Sequence, residues 1–145
     1  MSSDQTKTEL IEQIKSLRTD LLALLEKLAE TRLTRPTTRQ GWTLRHEICW
    51  LVAADEELRQ RLEIVAGNIT EEPLWRRVRG VAMHKAQELR MAALCEQLDI
   101  SGSSLSASLK AHFEHLDDPT IQSAIQSHNA DGTRAINTLR TELTN

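Results

Sequence analysis

The chain has 145 residues, 39% hydrophobic and 27% charged, with a net charge of −3. That length suits one domain, residues 1–145, able to bury roughly two thirds of its unfolded surface, and the near-neutral charge excludes a whole-protein basic signal for nucleic acid or an anionic membrane. Tyr is absent, Phe occurs once, and there are only 5 Gly and 3 Pro, so the composition is that of an all-α protein.

Residues 6–33 read as the first helix, with Thr6 and Glu9 as a capping box. Leu10, Ile14, Leu17, Leu21, Leu24 and Leu28 alternate by four and three, and Ile11, Leu22 and Leu25 widen the stripe enough to face two neighbours. Residues 34–41, TRPTTRQG, form a linker in which Pro36 pushes Arg35 out of helical geometry. The second helix lies within residues 41–67, with Thr43 as N-cap and a seam of Leu44, Ile48, Leu51, Leu58, Leu62 and Val65. The seam position without a hydrophobe is Asp55, and a carboxylate there costs free energy unless it is paired.

After a break at residues 68–73, a helical pattern covers residues 74–98, weakened at Gly80. Its first half is basic (Arg76, Arg77, Arg79, Lys85), which fits a solvated face. Residues 99–104, DISGSS, read as a turn, and residues 104–116 as a shorter helix. Asp118 then caps a last helix over residues 119–143, with Pro119 in its first position. The layout is that of an up-and-down four-helix bundle with an additional short helix.

No apolar run reaches about 18 residues, so no membrane span is expected. The polar opening MSSDQTKTEL has no apolar signal core, and the expected location is the cytoplasm. Cys49 and Cys95, without CxxC spacing, read as reduced and buried thiols. Two seam positions are polar, Asp55 and His128. If their helices are neighbours, the two side chains meet in the core; otherwise each is satisfied separately. His46 beside Glu47, and His128 one turn from Asp131, offer a histidine and a carboxylate on each of two helices, a way bundles hold metals. His112 and His115 form a second i, i+3 pair.

The segment RPTTRQGWTLRHEICWLVAADE resembles the first block of the DinB-like bundles, most closely their mycothiol-dependent maleylpyruvate isomerase N-terminal branch. Pro36, Thr37, Gly41, Trp42, Thr43, Leu44, Leu51 and Asp55 match, and AIQSHNAD supplies His128 and Asp131 of a second block. The resemblance implies a bundle in which three side chains hold a divalent metal that activates a thiol or water. Trp50 stands at the first ligand position and Ala124 at the second, leaving His128. The expectation is a degenerate metal site with no resident cofactor, the alternative being Zn²⁺ or Ni²⁺ on His128 with His46 substituting from one turn away. A pocket around His46, Trp50, Asp55, His128 and Asp131 would then bind a small-molecule or thiol ligand or a protein partner, with thiol-dependent isomerase or transferase chemistry only if a metal is retained.

Two other readings stay open. Residues 94–112 look like the helix-turn-helix of a DNA-binding regulator, with Asp99 at the turn, although Lys110 and His112 are the only candidate cations on the second helix. Alternatively, apolar surface left on the wide first helix supports a non-catalytic homodimer.

Overall fold

The computed structural model of the protein describes residues 3–144, Ser3 by its backbone alone; Met1, Ser2 and Asn145, which include the start of the polar N-terminal segment, lie outside the described residues. The described residues form five α-helices and no strand: α1 (Ser3–Leu25), α2 (Leu44–Val65), α3 (Trp75–Gln87), α4 (Met91–Ala111) and α5 (Pro119–Thr144). Two 3-10 turns, Glu30–Thr34 and Phe113–His115, complete the path. None of these helices is long and apolar enough to cross a membrane.

The ends of α2 follow from local chemistry. The Thr43 hydroxyl accepts from the His46 amide, and His46 Nδ1 accepts from the Thr43 amide at 3.1 Å, a reciprocal capping box with histidine in the usual Glu position. At the other end Gly67 has φ +85°, and the Asn68 amide donates back to the Glu63 carbonyl at 2.9 Å, closing the last turn in the left-handed conformation that glycine favours. Leu44, Ile48, Leu51, Leu58 and Leu62 are buried as the spacing predicts. The α5 start is also as expected: Asp118 Oδ1 accepts from the Thr120 and Ile121 amides.

Other boundaries move. The first helix is already formed at Ser3, so Thr6 lies inside it and does not cap it, and it stops at Leu25 rather than Leu33. In a continuous helix Leu33 would lie about 140° around the axis from Leu28. The turn at residues 26–29 and the 3-10 turn bring both into the core. The third pattern is not interrupted at Gly80, which is an exposed position inside α3. The chain breaks at residues 88–90, where Arg45 from α2 donates to the freed carbonyls of Gln87 and Leu89. Residues 99–104, expected as a turn, are interior to α4, which runs unbroken from Met91 to Ala111. The helix-turn-helix reading of residues 94–112 is therefore overturned, because no turn exists at Asp99.

α1 packs against α4 and α5, and α2 packs against α3, α4 and α5. Two apolar clusters fill the interior. One gathers Leu21 and Leu25 of α1, Ile48 and Leu51 of α2, Leu94 and Leu98 of α4, and Ile136 and Leu139 of α5. The other gathers Ile11 and Ile14, Leu58 and Leu62, Leu105 and Leu109, and Ile121 and Ile125 from the same four helices. The order in which each helix enters the clusters gives its direction: α1 and α5 run one way, α2 and α4 the other, so the four follow an up-down-down-up order in place of the expected up-and-down one, α3 intervening between the parallel α2 and α4. Between the clusters every one of these helices contributes polar or glycine positions: Arg18, Asp55, Ser101 with Gly102, and His128. The large apolar residues left exposed among the described residues are Leu74, Val81 and Ile100. None is on α1, whose Leu17, Leu22 and Leu24 are partly buried against the core.

Gly102 makes room for the intermediate polar layer. A Cβ there would fall 2.6 Å from Arg18 Nη1, whereas one at Gly80 meets nothing within 4 Å. Gly102→Ala is expected to destabilise the fold by about 1–3 kcal/mol through forced displacement of the Arg18 side chain, and Gly80→Ala to stabilise it by about 0.5–1 kcal/mol. Urea unfolding of the two variants checks the opposite signs.

Candidate functional site

Arg18 occupies the centre of the α1 seam, four residues after Ile14 and three before Leu21. It reaches Asp55 with a two-pronged contact, Nη1 to Oδ2 and Nη2 to Oδ1, both 2.8 Å. Its Nη1 also donates to the Leu98 carbonyl at 2.6 Å. Ser101 Oγ donates to Asp55 Oδ2 at 2.6 Å, and His128 Nε2 to Asp55 Oδ1 at 2.7 Å. An ionised carboxylate offers about four lone-pair sites; Arg18 takes two, and Ser101 and His128 one each. Burial alone would push the Asp55 carboxyl up, but the Arg18 guanidinium and the His128 hydrogen bond overrule it and hold it down at about 2. His128 Nδ1 is buried without a partner, and His128 borders a void of only about 10 Å³, the scale of a single water.

The alternative in which Asp55 and His128 meet is thus the one realised. Trp50 and Asp131 also meet: Trp50 Nε1 donates to Asp131 Oδ2 at 3.1 Å, and Arg134 Nη2 holds the other Asp131 oxygen at 2.8 Å. The buried Glu47 carboxylate lies against Arg134 Nε at 3.6 Å and accepts from Thr37 Oγ1 at 3.4 Å. Trp42 packs edge-on to Trp50 with ring centroids 5.7 Å apart, and Arg39 stacks on Trp42 at 4.1 Å. His46 belongs to neither pair. It caps α2 nine residues before Asp55, roughly 13 Å along the axis, so it does not join His128 at one ion, whose nitrogen ligands lie near 2 Å. The five expected residues form two interhelical contacts and a cap, not one pocket.

The donor set does not fit the metal that the resemblance implies. The indole of Trp50 is a donor only, Ala124 has no ligand atom, and Nε2 of His128 is held by Asp55. Among the described residues no group of three or more His, Cys, Asp or Glu side chains is placed to hold an ion. His112 and His115 do not chelate either: His112 Nε2 bonds Glu63 Oε1 at 2.7 Å, and His115 faces Glu114. Burial pushes the Cys49 thiol up to about 11 against the pull of Arg45, so it holds almost no thiolate at neutral pH and is no nucleophile.

Sequence reasoning missed Arg18 and Ser101. The signal for Arg18 was present: a lone cation interrupts the α1 stripe much as Asp55 interrupts that of α2. Ser101 and Gly102 were masked by their turn-like composition.

Three larger openings lie on the surface, the smallest a hollow of about 350 Å³ between α1 and α4 that reaches Arg18 and Gly102. A groove of about 630 Å³ runs between α2, α3 and α4. Its walls include Val52, Val78, Ala82, Ala86 and Leu89, and Ser101 is part of its lining. A broader cleft of about 1170 Å³ follows α5 past Gln126, Asn129, Thr133, Asn137 and Thr141 to residues 36–38.

The folded pKa of Asp55, about 2, lies below its ordinary value of 3.8. Between the two the unfolded chain binds the extra proton. The carboxylate's contribution of roughly 2 kcal/mol is therefore complete above about pH 4 and is lost as the pH falls to about 2. Asp55→Asn leaves the Arg18 charge buried and is expected to cost about 3–5 kcal/mol at pH 7. In urea unfolding, the gap between wild type and variant should shrink by roughly 2 kcal/mol across that acid window; a gap independent of pH contradicts the assignment.

Compared with family models, with curated proteins and with solved structures, the chain matches none.

Proposed function

We propose that the protein is a divergent DinB-like four-helix bundle of the maleylpyruvate isomerase-like branch, with α3 as its additional helix. In this reading the inherited reaction centre has become a structural charge network, and the function is to bind a small organic molecule in the groove between α2, α3 and α4. The turn Gly41–Trp42–Thr43 leading into the cap of α2, and the meeting of α2 with the last-helix histidine, support the relationship.

The observation that carries the functional reading is the saturation of Asp55. Arg18, Ser101 and His128 use its acceptor sites, and the adjoining void of about 10 Å³ admits no ligand. Asp55 therefore offers a substrate no free acceptor site. The groove has the size of an ordinary small-molecule site, about 630 Å³. The broader cleft along α5 mixes amides and hydroxyls with Leu10, Pro36 and Leu44, and it is the weaker candidate because its charged members, Arg134 and Glu142, are already paired.

The neutral fluorescent probe N-phenyl-1-naphthylamine is expected to bind saturably at one site per chain. Ala82→Phe, which fills the groove, should abolish the signal with helicity by circular dichroism unchanged. A titration with Zn²⁺ or Ni²⁺ should give no stoichiometric uptake. Absence of saturable probe binding sinks the ligand reading, and a tight one-to-one metal site sinks the degenerate-centre reading.

A further inference from the structure

The groove's apolar surface is uncovered and its charge is unbalanced, and the two facts together specify a ligand chemistry. Leu74 is 75% exposed and Val81 50%, although most large hydrophobes elsewhere in the chain are buried, and both line this groove. Val78, Ala82, Ala86 and Leu89 on the α3 side and Val52 on the α2 side complete the apolar lining. Such a surface is covered favourably by a hydrocarbon chain or ring.

The polar members of the groove divide by whether they are already paired. Glu56 is its only acidic residue. Both carboxylate oxygens of Glu56 are taken by Arg59, with Gln60 adding a third bond at 2.9 Å. That pairing neutralises the carboxylate. Among the other cations of α3, Arg79 is bound to Glu57 at 3.1 Å and is also close to the Trp50 ring. His84 faces Glu88. Arg77 and Lys85 line the groove, and neither makes an ion pair or a side-chain hydrogen bond among the described residues. They are eight residues apart on α3, about 12 Å along the axis, flanking Val81 on either side. The groove therefore combines an apolar floor with two uncompensated positive charges on one rim.

We infer that the groove takes an amphipathic organic anion, an apolar chain or ring ending in a carboxylate, whose charge is met by Arg77 and Lys85. This rests on the ligand-binding reading above. The apolar part covers Leu74, Val81 and the floor, which supplies affinity. The carboxylate is selected against a neutral head group by the rim cations. Because both cations are solvent-exposed, each contributes selectivity of a few fold rather than orders of magnitude.

The test is displacement of N-phenyl-1-naphthylamine from the full chain by octanoate and by octanol, whose tails match. Octanoate is expected to displace the probe at about tenfold lower concentration. Arg77→Gln and Lys85→Gln should each weaken octanoate about threefold, and the double variant should bring it to the level of octanol. Octanol displacement should not change in these variants, and Arg76→Gln, which lies outside the groove lining, should leave both competitors unchanged. If octanol and octanoate compete equally, or the variants leave octanoate unaffected, the anion inference is overturned while small-molecule binding stands. If the probe itself does not bind, the underlying reading fails.

Discussion

The contact on which the rest depends is the buried pair of Arg18 and Asp55. Taking two charges out of water costs several kcal/mol per ion, and Coulomb attraction compensates only where geometry is good and the remaining donors and acceptors are used. Both conditions are met. The guanidinium is two-pronged on the carboxylate, its Nη1 also reaches the Leu98 carbonyl, and Ser101 and His128 complete the carboxylate. The apolar clusters on either side could tolerate several alignments of the helices, since leucines exchange neighbours at small cost. The polar layer does not: sliding any of α1, α2, α4 or α5 by one turn would strand a buried charge or leave His128 against hydrocarbon. We therefore assign the layer the role of fixing register, with the clusters supplying most of the burial energy.

That requirement explains features of α4 and α3 that local propensity does not. α4 carries a serine and a glycine in mid-helix, each unfavourable there, because Ser101 must donate to Asp55 and Gly102 must let Arg18 pass. α3 contributes only one fully buried residue, Ala86. Its attachment to α2 combines the packing of Ala86 and Met83 on the core with polar and aromatic contacts, Arg79 to Glu57 and Arg61 stacked on Trp75 at 4.1 Å. A helix held in this way covers its neighbour incompletely, and the uncovered remainder is the groove. Ser101 belongs to both features, so the groove and the buried layer share a side chain.

How far this could be read from the sequence depended on where each cause lay. The ends of α2 and the start of α5 were legible because their determinants, Thr43, Gly67, Asp118 and Pro119, are adjacent in sequence to what they control. Asp55 and His128 were legible as polar interruptions in apolar stripes. The break between α3 and α4 was not legible, because the group that satisfies its carbonyls, Arg45, is more than forty residues away. The continuity of α4 was hidden for a related reason: composition at DISGSS favours a turn, and the compensating contacts come from α1 and α2. Arg18 fell between these cases. Its place in the stripe was visible, but a long basic side chain at such a position ordinarily reaches for solvent, and only a carboxylate facing it from another helix makes the inward conformation favourable.

The same layer constrains where activity can reside. A metal or substrate in the interior needs ligand atoms with free lone pairs and space to approach them. Asp55 has neither, and the Trp50 indole is engaged with Asp131. Nδ1 of His128 is the one buried side-chain atom of the layer without a partner, and the void beside its ring is of single-water size. Opening the interior to a larger molecule would separate Arg18 from Asp55, at a cost of the order of the 3–5 kcal/mol seen when buried pairs are broken. Occupying the groove between α2, α3 and α4 requires no such separation and covers apolar surface that is otherwise in water. The free-energy balance therefore favours the groove over the interior as the place for the ligand proposed above, with the charged interior as a rigid support.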